Sequence, residues 1–351
     1  MVKAATIKDI AQHCGVSVAT VSRVVNNKGV VRAETVEKVE SAVLALGYRP
    51  SMAARTLKSA SNRTLGVIIP SLMNPVFAET ASGVQQRARA RGYTPLILSS
   101  DYDDELEQSA VENLQAYQVD GILLTVNDVS SSAALKKLDQ AGLPYCLMHN
   151  VPRRRVAGYI GVDNFRAAAE VASRILAHGH TCIGMVSGEF VRTDRARERH
   201  AGFIAGLKYV GVDLAHLLQV DPVNATGLQQ ALINIYGEPG AHPTAWFCSN
   251  DLLALATIAR LESLAKPVPE QISIVGFDGI QAGALCEPAL TSIRTPNIDI
   301  GSAAVDLLLA QLDDKPADLG RKLGYHWVEG GTLAINSCIS HNLSNESKYD
   351  A

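Results

Sequence analysis

The chain has 351 residues, is 47% hydrophobic and 19% charged, and carries a formal net charge of −3, which describes an ordinary soluble globular protein with enough sequence for two or three domains. No run reaches transmembrane length and the N-terminus has no apolar h-region, so a cytoplasmic protein without membrane attachment is expected. The small net charge hides an asymmetry: residues 1–63 hold ten Lys and Arg against four Asp and Glu, a net +6, which leaves −9 for the rest and points to an anionic partner for the first segment only. The six cysteines are scattered, with no pair closer than 36 positions, and fit buried, reduced thiols better than a disulfide framework or a metal site.

Thr6 can cap a helix from Ile7 to about His13, with Asp9 completing a near capping box and Ile7, Ile10 and Ala11 forming an apolar stripe. Gly15 makes a tight turn. Ser17 can then accept an orphaned N–H at the start of a second helix within Val16–Asn26, whose stripe is Val21, Val24 and Val25. Thr20, Ser22, Arg23 and Asn26 are left on or near its outer surface, and a guanidinium with hydroxyls and an amide suits contact with base edges and phosphates. Helix, Gly-containing turn and helix make a helix-turn-helix; the alternative, for the hairpin alone, is a plain αα-hairpin. A third helix from about Ala33 to Leu46 presents Val36, Val39, Val43 and Leu46 on one face and ends at Gly47, with Pro50 beyond.

Ser51–Lys58 is short, Ala-rich and helix-permissive, too short to be stable alone, and a polar linker follows; the alternative is an unstructured tether. From Leu65 the texture changes. Apolar runs (Leu65–Ile69, Pro95–Leu98, Gly121–Thr125, Pro144–Met148, Tyr159–Val162, Cys182–Val186, Ala245–Cys248, Ile272–Phe277) alternate with helical patterns (Val76–Arg91, Glu105–Tyr117, Phe165–Ala177, Arg195–Val210, Leu252–Ala265). Such alternation means parallel sheets covered on both faces, and the length to Val328 calls for two α/β subdomains. Asp299–Leu312 reads as one more helix and Ser340–Ala351 as a polar tail.

This order resembles the LacI/GalR family of bacterial transcriptional repressors. The pieces that carry the likeness are Ile7–Ala11, Gly15–Ser17, Thr20–Val24, Leu46–Pro50 and Ala54–Leu57 in the first part. In the body they are Gly66–Pro70, Asn74–Glu79, Arg199–Phe203 and Ile274–Asp278. The resemblance implies an α/β fold in which a three-helix helix-turn-helix domain (1–50) and a hinge helix with linker (51–63) precede a two-lobed, periplasmic-binding-protein-like body (64–339). Its N-lobe would span about 64–161 and 293–323, and its C-lobe about 162–292 and 324–339; residues 340–351 form the tail. It implies a homodimer on a palindromic DNA operator, under the control of a small effector. Val18 and Ala19 occupy the positions that choose operator sequence, and both are apolar, suited to thymine methyl groups. Arg23 becomes the direct reader, while Thr6, Ser17, Thr20, Ser22 and Asn26 position the protein on phosphates. Leu57 matches a minor-groove wedge. Ala54 lies in the same hinge match, and Ser51 stands where the family usually has Asn.

Ligands of parallel α/β sheets bind beyond the carboxyl ends of strands, which here carry Ser71, Asn74, Ser99–Asp101, Asn127, His149, Asp163, Asn250, Asp251 and Asp278. The resemblance narrows the effector site to Asn74, Phe77, His149, Arg195, Arg199, Asn250 and Asp278. Phe77 would stack, Arg199 would make a charged bidentate contact, and Asn250 and Asp278 would fix hydroxyls. Asp163 and Asp251 have another reading as caps of the following helices, Arg192, Arg195 and Arg197 as a solvated face, and His178 and His180 as turn residues. His149 stands where relatives often have a carboxylate, and with Arg195 and Arg199 near it the effector expected is a sugar acid or phosphorylated sugar. No cofactor and no metal are expected. The rivals are a periplasmic sugar-binding protein, which needs a signal peptide and no basic head, and an α/β enzyme, for which the chain lacks Gly-x-Gly-x-x-Gly, Walker and Gly-x-Ser-x-Gly motifs.

Overall fold

The computed structural model describes residues 5–25, 29–48, 62–153, 158–221, 225–313, 315 and 320–336. Two compact units divide the chain, Met1–Asn62 and Arg63–Ala351. In the first, α1 (Ile7–Cys14), α2 (Val18–Val25) and α3 (Ala33–Ala45) enclose a small core of Ile10, Ala11, Val21, Val39 and Ala42, with Val24, Val25, Val43 and Tyr48 packed around it. Both expected caps form. Thr6 and Asp9 make a reciprocal capping box, and the Ser17 hydroxyl accepts the Thr20 N–H at 3.1 Å. Leu46 departs from expectation: α3 ends one residue earlier and leaves it exposed, and Ala42, one turn back, fills the core position.

The second unit runs β1 (Thr64–Ile69), α4 (Pro75–Ala90), β2 (Thr94–Ser99), α5 (Asp104–Ala116), β3 (Gly121–Leu124), α6 (Ala133–Ala141), β4 (Tyr145–Met148) and β5 (Gly158–Val162). It continues through α7 (Asn164–Ala177), β6 (Ile183–Gly188), α8 (Asp194–Lys208), β7 (His216–Val220), α9 (Leu228–Gly237), β8 (Ala245–Cys248), α10 (Asp251–Ser263), β9 (Ser273–Val275) and the short α11 (Gln281–Ala284). It closes with β10 (Ser292–Arg294), α12 (Asn297–Leu312), β11 (Gly320–Leu323) and β12 (His326–Val328). The strands build two wholly parallel sheets, ordered β11-β5-β4-β3-β1-β2 and β7-β6-β8-β9, and an antiparallel β10-β12 pair.

Strand side chains alternate between faces. Leu65, Val67 and Ile69 meet α4 and α12, while Ile68, Ile122 and Leu124 meet α5 and α6. In the second sheet Ile183, Met185, Phe247 and Val275 meet α7 and α8, and Val186, Trp246, Cys248 and Ile274 meet α9 and α10. Glycine permits the closest helix crossings. A Cβ on Gly202 of α8 would lie 2.0 Å from the Phe165 carbonyl of α7, and one on Gly83 of α4 would lie 2.0 Å from that of Ile298 in α12. The elements not foreseen are α6, β7, α9, α11 and β10–β12; β7 and β11 lie at sheet edges and the others are short, which leaves an apolar pattern little length in which to show. Of the cysteines among the described residues, all are free; Cys146 and Cys248 are buried, but Cys14, Cys182 and Cys286 are half-buried, less than expected. No described helix is long and apolar enough to cross a membrane.

Gly202→Ala must push α8 from α7 and is expected to cost about 2 kcal/mol in urea unfolding, as overpacked cores do. Gly237→Ala, with nothing within 4 Å of its added Cβ among the described residues, should be neutral or slightly stabilising.

Candidate functional site

The second helix of the first unit offers one outward face. Val18, Ala19 and Arg23 are exposed, Thr20 and Ser22 are half-buried, and the Ser17 and Thr20 hydroxyls lie 2.9 Å apart. Thr6, with its hydroxyl in the capping box, is exposed at the start of α1. Asn26, Ser51, Ala54 and Leu57, and with them the expected hinge helix, lie outside the described residues.

In the body, both sheets have a switch point where strand order reverses, at β1/β3 and at β6/β8, and residues at or beyond the carboxyl ends of β1, β2, β4, β6, β8 and β9 line one cavity. All seven of the residues singled out for an effector line it: Asn74, Phe77, His149, Arg195, Arg199, Asn250 and Asp278. Sequence reasoning missed three polar members, Tyr102, Thr193 and Ser249. Ser249 and Tyr102 each adjoin a strand-end residue already singled out, which was the available signal; Thr193 is the N-cap of α8.

One wall is supplied by the start of α4 and the loops after β2 and β4. Asn74 caps α4, its Oδ1 accepting the Val76 N–H at 3.1 Å, so Phe77 sits in the first helical turn. The Phe77 ring meets His149 edge-on at 5.6 Å and Tyr102 at 6.4 Å. His149 is buried, and its Nε2 lies 2.8 Å from the Thr80 hydroxyl, which donates to the Val76 carbonyl. Burial, reinforced by Arg195 and Arg199, pushes the imidazole down to about 3, so the ring is neutral. Burial pushes the Tyr102 hydroxyl up, against the nearby Arg195.

The opposite wall is cationic. Arg195 donates to the Val126 carbonyl at 2.8 Å and pairs with Asp194 at 3.2 Å. Asp194 in turn accepts from Asn150 at 2.9 Å. Arg199 donates to Asn164 at 2.8 Å and to the Ser249 carbonyl, pairs with Asp278 at 3.2 Å, and lies over the Phe277 ring at 3.7 Å. Burial holds its guanidinium below the usual value. Burial also raises Asp278 to about 6, against the pull of Arg199, and raises Asp251 to about 8, with the charge of Asp278 adding to it. Arg192 and Arg197 behave differently from Arg195: they are exposed and pair with Glu189 and Asp128 at the surface.

Two capping expectations divide. Asp163 does cap α7, accepting the Arg166 N–H at 3.0 Å, but α10 is capped by Asn250, not by Asp251. The Asn250 Oδ1 takes the Leu253 N–H at 2.8 Å, because an extended backbone at 250 aims that side chain back over the first turn. His178 ends α7, and His180 bridges the Thr244 hydroxyl and the Ala334 carbonyl.

A family model for bacterial regulatory proteins of the lacI family matches residues 6–51, and one for a periplasmic binding protein-like domain matches residues 172–333. The HTH-type transcriptional repressor PurR of Aliivibrio salmonicida is 32% identical over 89% of this chain and 93% of its own length. The chain belongs to the LacI family of bacterial regulatory proteins. Its similarity extends to the HTH-type transcriptional repressor CytR of Escherichia coli, 32% identical over 91% of this chain and 93% of the relative. Among solved structures, a lac repressor dimer bound to operator and the anti-inducer ONPF superposes with a TM-score of 0.85 and 26% identity, covering 95% of this chain and all of that one. This LacI-family member is therefore a DNA-binding transcriptional regulator.

The neutral imidazole has a measurable consequence. The unfolded chain protonates His149 near the ordinary 6.5, the folded one only near 3, so native stability falls as pH drops through that window. Between pH 7 and 5 the loss attributable to this ring is about 2 kcal/mol. In urea titrations His149→Gln is expected to lose that much less than the wild type over the same interval; equal losses would mean the ring titrates in the folded protein.

Proposed function

We propose that the protein is a homodimeric repressor acting in the cytoplasm, and that the cavity between the two sheets takes a small polyhydroxylated acid, a sugar acid or a phosphorylated sugar. The observation that carries this reading is the pairing of two buried arginines, Arg195 and Arg199, with a neutral His149 across the same cavity. Each guanidinium now pairs with one carboxylate, Asp194 or Asp278, and an anionic ligand would share or take over those pairings. Asn74, Asn250, Ser249 and Thr193 supply donors and acceptors for hydroxyls, and Phe77 a face for C–H surface.

The cavity is about 40 Å³, whereas ligand pockets run to roughly 300 Å³ or more. Admission therefore requires movement. An acid that draws Arg195 from the Val126 carbonyl loosens a contact that now joins α8 to the segment after β3 in the other sheet, and that differential interaction is what shifts a two-lobed body between states. In a dimer the shift alters the spacing of the two segments that precede the bodies, and with it operator affinity; the operator must alter effector affinity by the same factor.

On DNA, Arg23 reads a guanine, Val18 and Ala19 face thymine methyl groups, and Thr6, Ser17, Thr20 and Ser22 seat the head on phosphates. This assignment is supported by the exposure of Val18, Ala19 and Arg23 on one helix.

A thermal-shift panel of aldonates, sugar phosphates and neutral sugars tests the effector class. Aldonates or sugar phosphates should stabilise the wild type, and Arg195→Ala should remove the response; stabilisation by neutral sugars alone would sink the acidic reading. Separately, Arg23→Ala should cost roughly 1–3 kcal/mol of affinity for a duplex selected by the wild type and relax one base position, measured by fluorescence anisotropy.

A further inference from the structure

We infer that Asp251 is a positioning residue that presents Asp278 to the cavity, an inference that rests on that cavity being the effector site but not on the effector being an acid. Asp251 is not among the residues that line the cavity. It follows the cap Asn250 at the start of α10, is 1% exposed, and turns its carboxylate beneath the loop that follows β9. There Oδ2 accepts the Ile280 N–H at 2.7 Å and Oδ1 accepts the Ser292 hydroxyl at 2.6 Å, with the Gly279 N–H a third donor. One side chain thus fastens together the start of α10, the β9–α11 turn and β10.

The turn it fastens is the one that carries Asp278. Asp278 has φ 108° and Gly279 φ 68°, a backbone region that L side chains rarely adopt, so the turn holds this shape only because its surroundings impose it. From one side, β10 grips Asp278: its N–H donates to the Ile293 carbonyl at 2.7 Å and its carbonyl accepts the Thr295 N–H at 3.1 Å. From the other side, Asp251 grips the next two residues through their N–H groups. A Cβ on Gly276 would lie 2.2 Å from Asp251 Oδ1, so the chain entering the turn also packs against this carboxylate. Held at both ends, the turn aims the Asp278 carboxylate at Arg199, 3.2 Å away.

The side chain suits this place because its two oxygens meet two main-chain N–H groups and a hydroxyl at once. An Asn of the same shape keeps one acceptor oxygen and sets an amide NH₂ in place of the other, which weakens the hold on the turn while changing side-chain volume little. The loss should then reach the cavity entirely through Asp278, and a residue that merely stabilises the core would not behave in this way.

The test uses the full chain and, as probe, whichever member of the panel of aldonates, sugar phosphates and neutral sugars the wild type binds most tightly. By isothermal titration, Asp251→Asn and Asp278→Asn should each weaken that binding tenfold or more, and Asp251→Asn should add less than twofold in the Asp278→Asn background. Wild-type affinity in Asp251→Asn, or losses that multiply in the double variant, would overturn the assignment. Hydrogen–deuterium exchange needs no probe: residues 276–280 should exchange faster in Asp251→Asn, while α7 and α8 stay protected. Unchanged protection of that turn overturns the inference even if no panel member binds. A neutral sugar as the best-bound compound would count against the acidic effector alone, and the variant series would still decide the role of Asp251.

Discussion

Two guanidinium groups lie buried in the middle of the body, and much of the surrounding backbone is placed by the need to satisfy them. Removing a cation from water costs several kcal/mol unless charge and hydrogen bonds replace the lost hydration. Arg195 and Arg199 each receive a carboxylate and a main-chain carbonyl, Asp194 with Val126 for one and Asp278 with Ser249 for the other. Those carbonyls belong to the segments just after β3 and β8, so the ends of both sheets are drawn to one helix, α8. Phe277 adds its ring face beneath Arg199.

Helix starts provide the remaining order. Asn74, Thr193 and Asn250 are all N-caps, so these three cavity-facing side chains are each fixed by the same bond that begins a helix. The parallel sheets then bring these starts together, because strand ends of one polarity must share an edge of the layer. Position in the cavity is therefore a product of topology and capping together; neither alone would converge residues from 74 to 278.

Much of this was legible in the sequence. The head could be read from Thr6, Asp9, Gly15 and Ser17 because capping and turn chemistry are local, and the body from the alternation of apolar runs with helical stripes. The seven cavity residues named from strand ends and family likeness do come together. What escaped was set by non-local contacts. Asp251 looked like a helix cap because it precedes an apolar helix, and only the fold shows that Asn250 takes that task and that Asp251 is held by Ile280 and Ser292. Leu46 fitted a periodic stripe but fell past the end of α3. Tyr102 follows Asp101 in an unusual left-handed pair, φ 49° and 57°, which no local pattern announces.

The double duty of the capping asparagines bears on how such a cavity can diverge. Exchanging Asn74 or Asn250 would fray a helix as well as alter a contact, and Asp278 is bound into a turn that tolerates few residues. Of the aromatic wall only Phe77 is free of both obligations, because Tyr102 and His149 hold left-handed backbone at φ 57° and 67°. A change in what such a cavity recognises therefore disturbs the backbone least at Phe77.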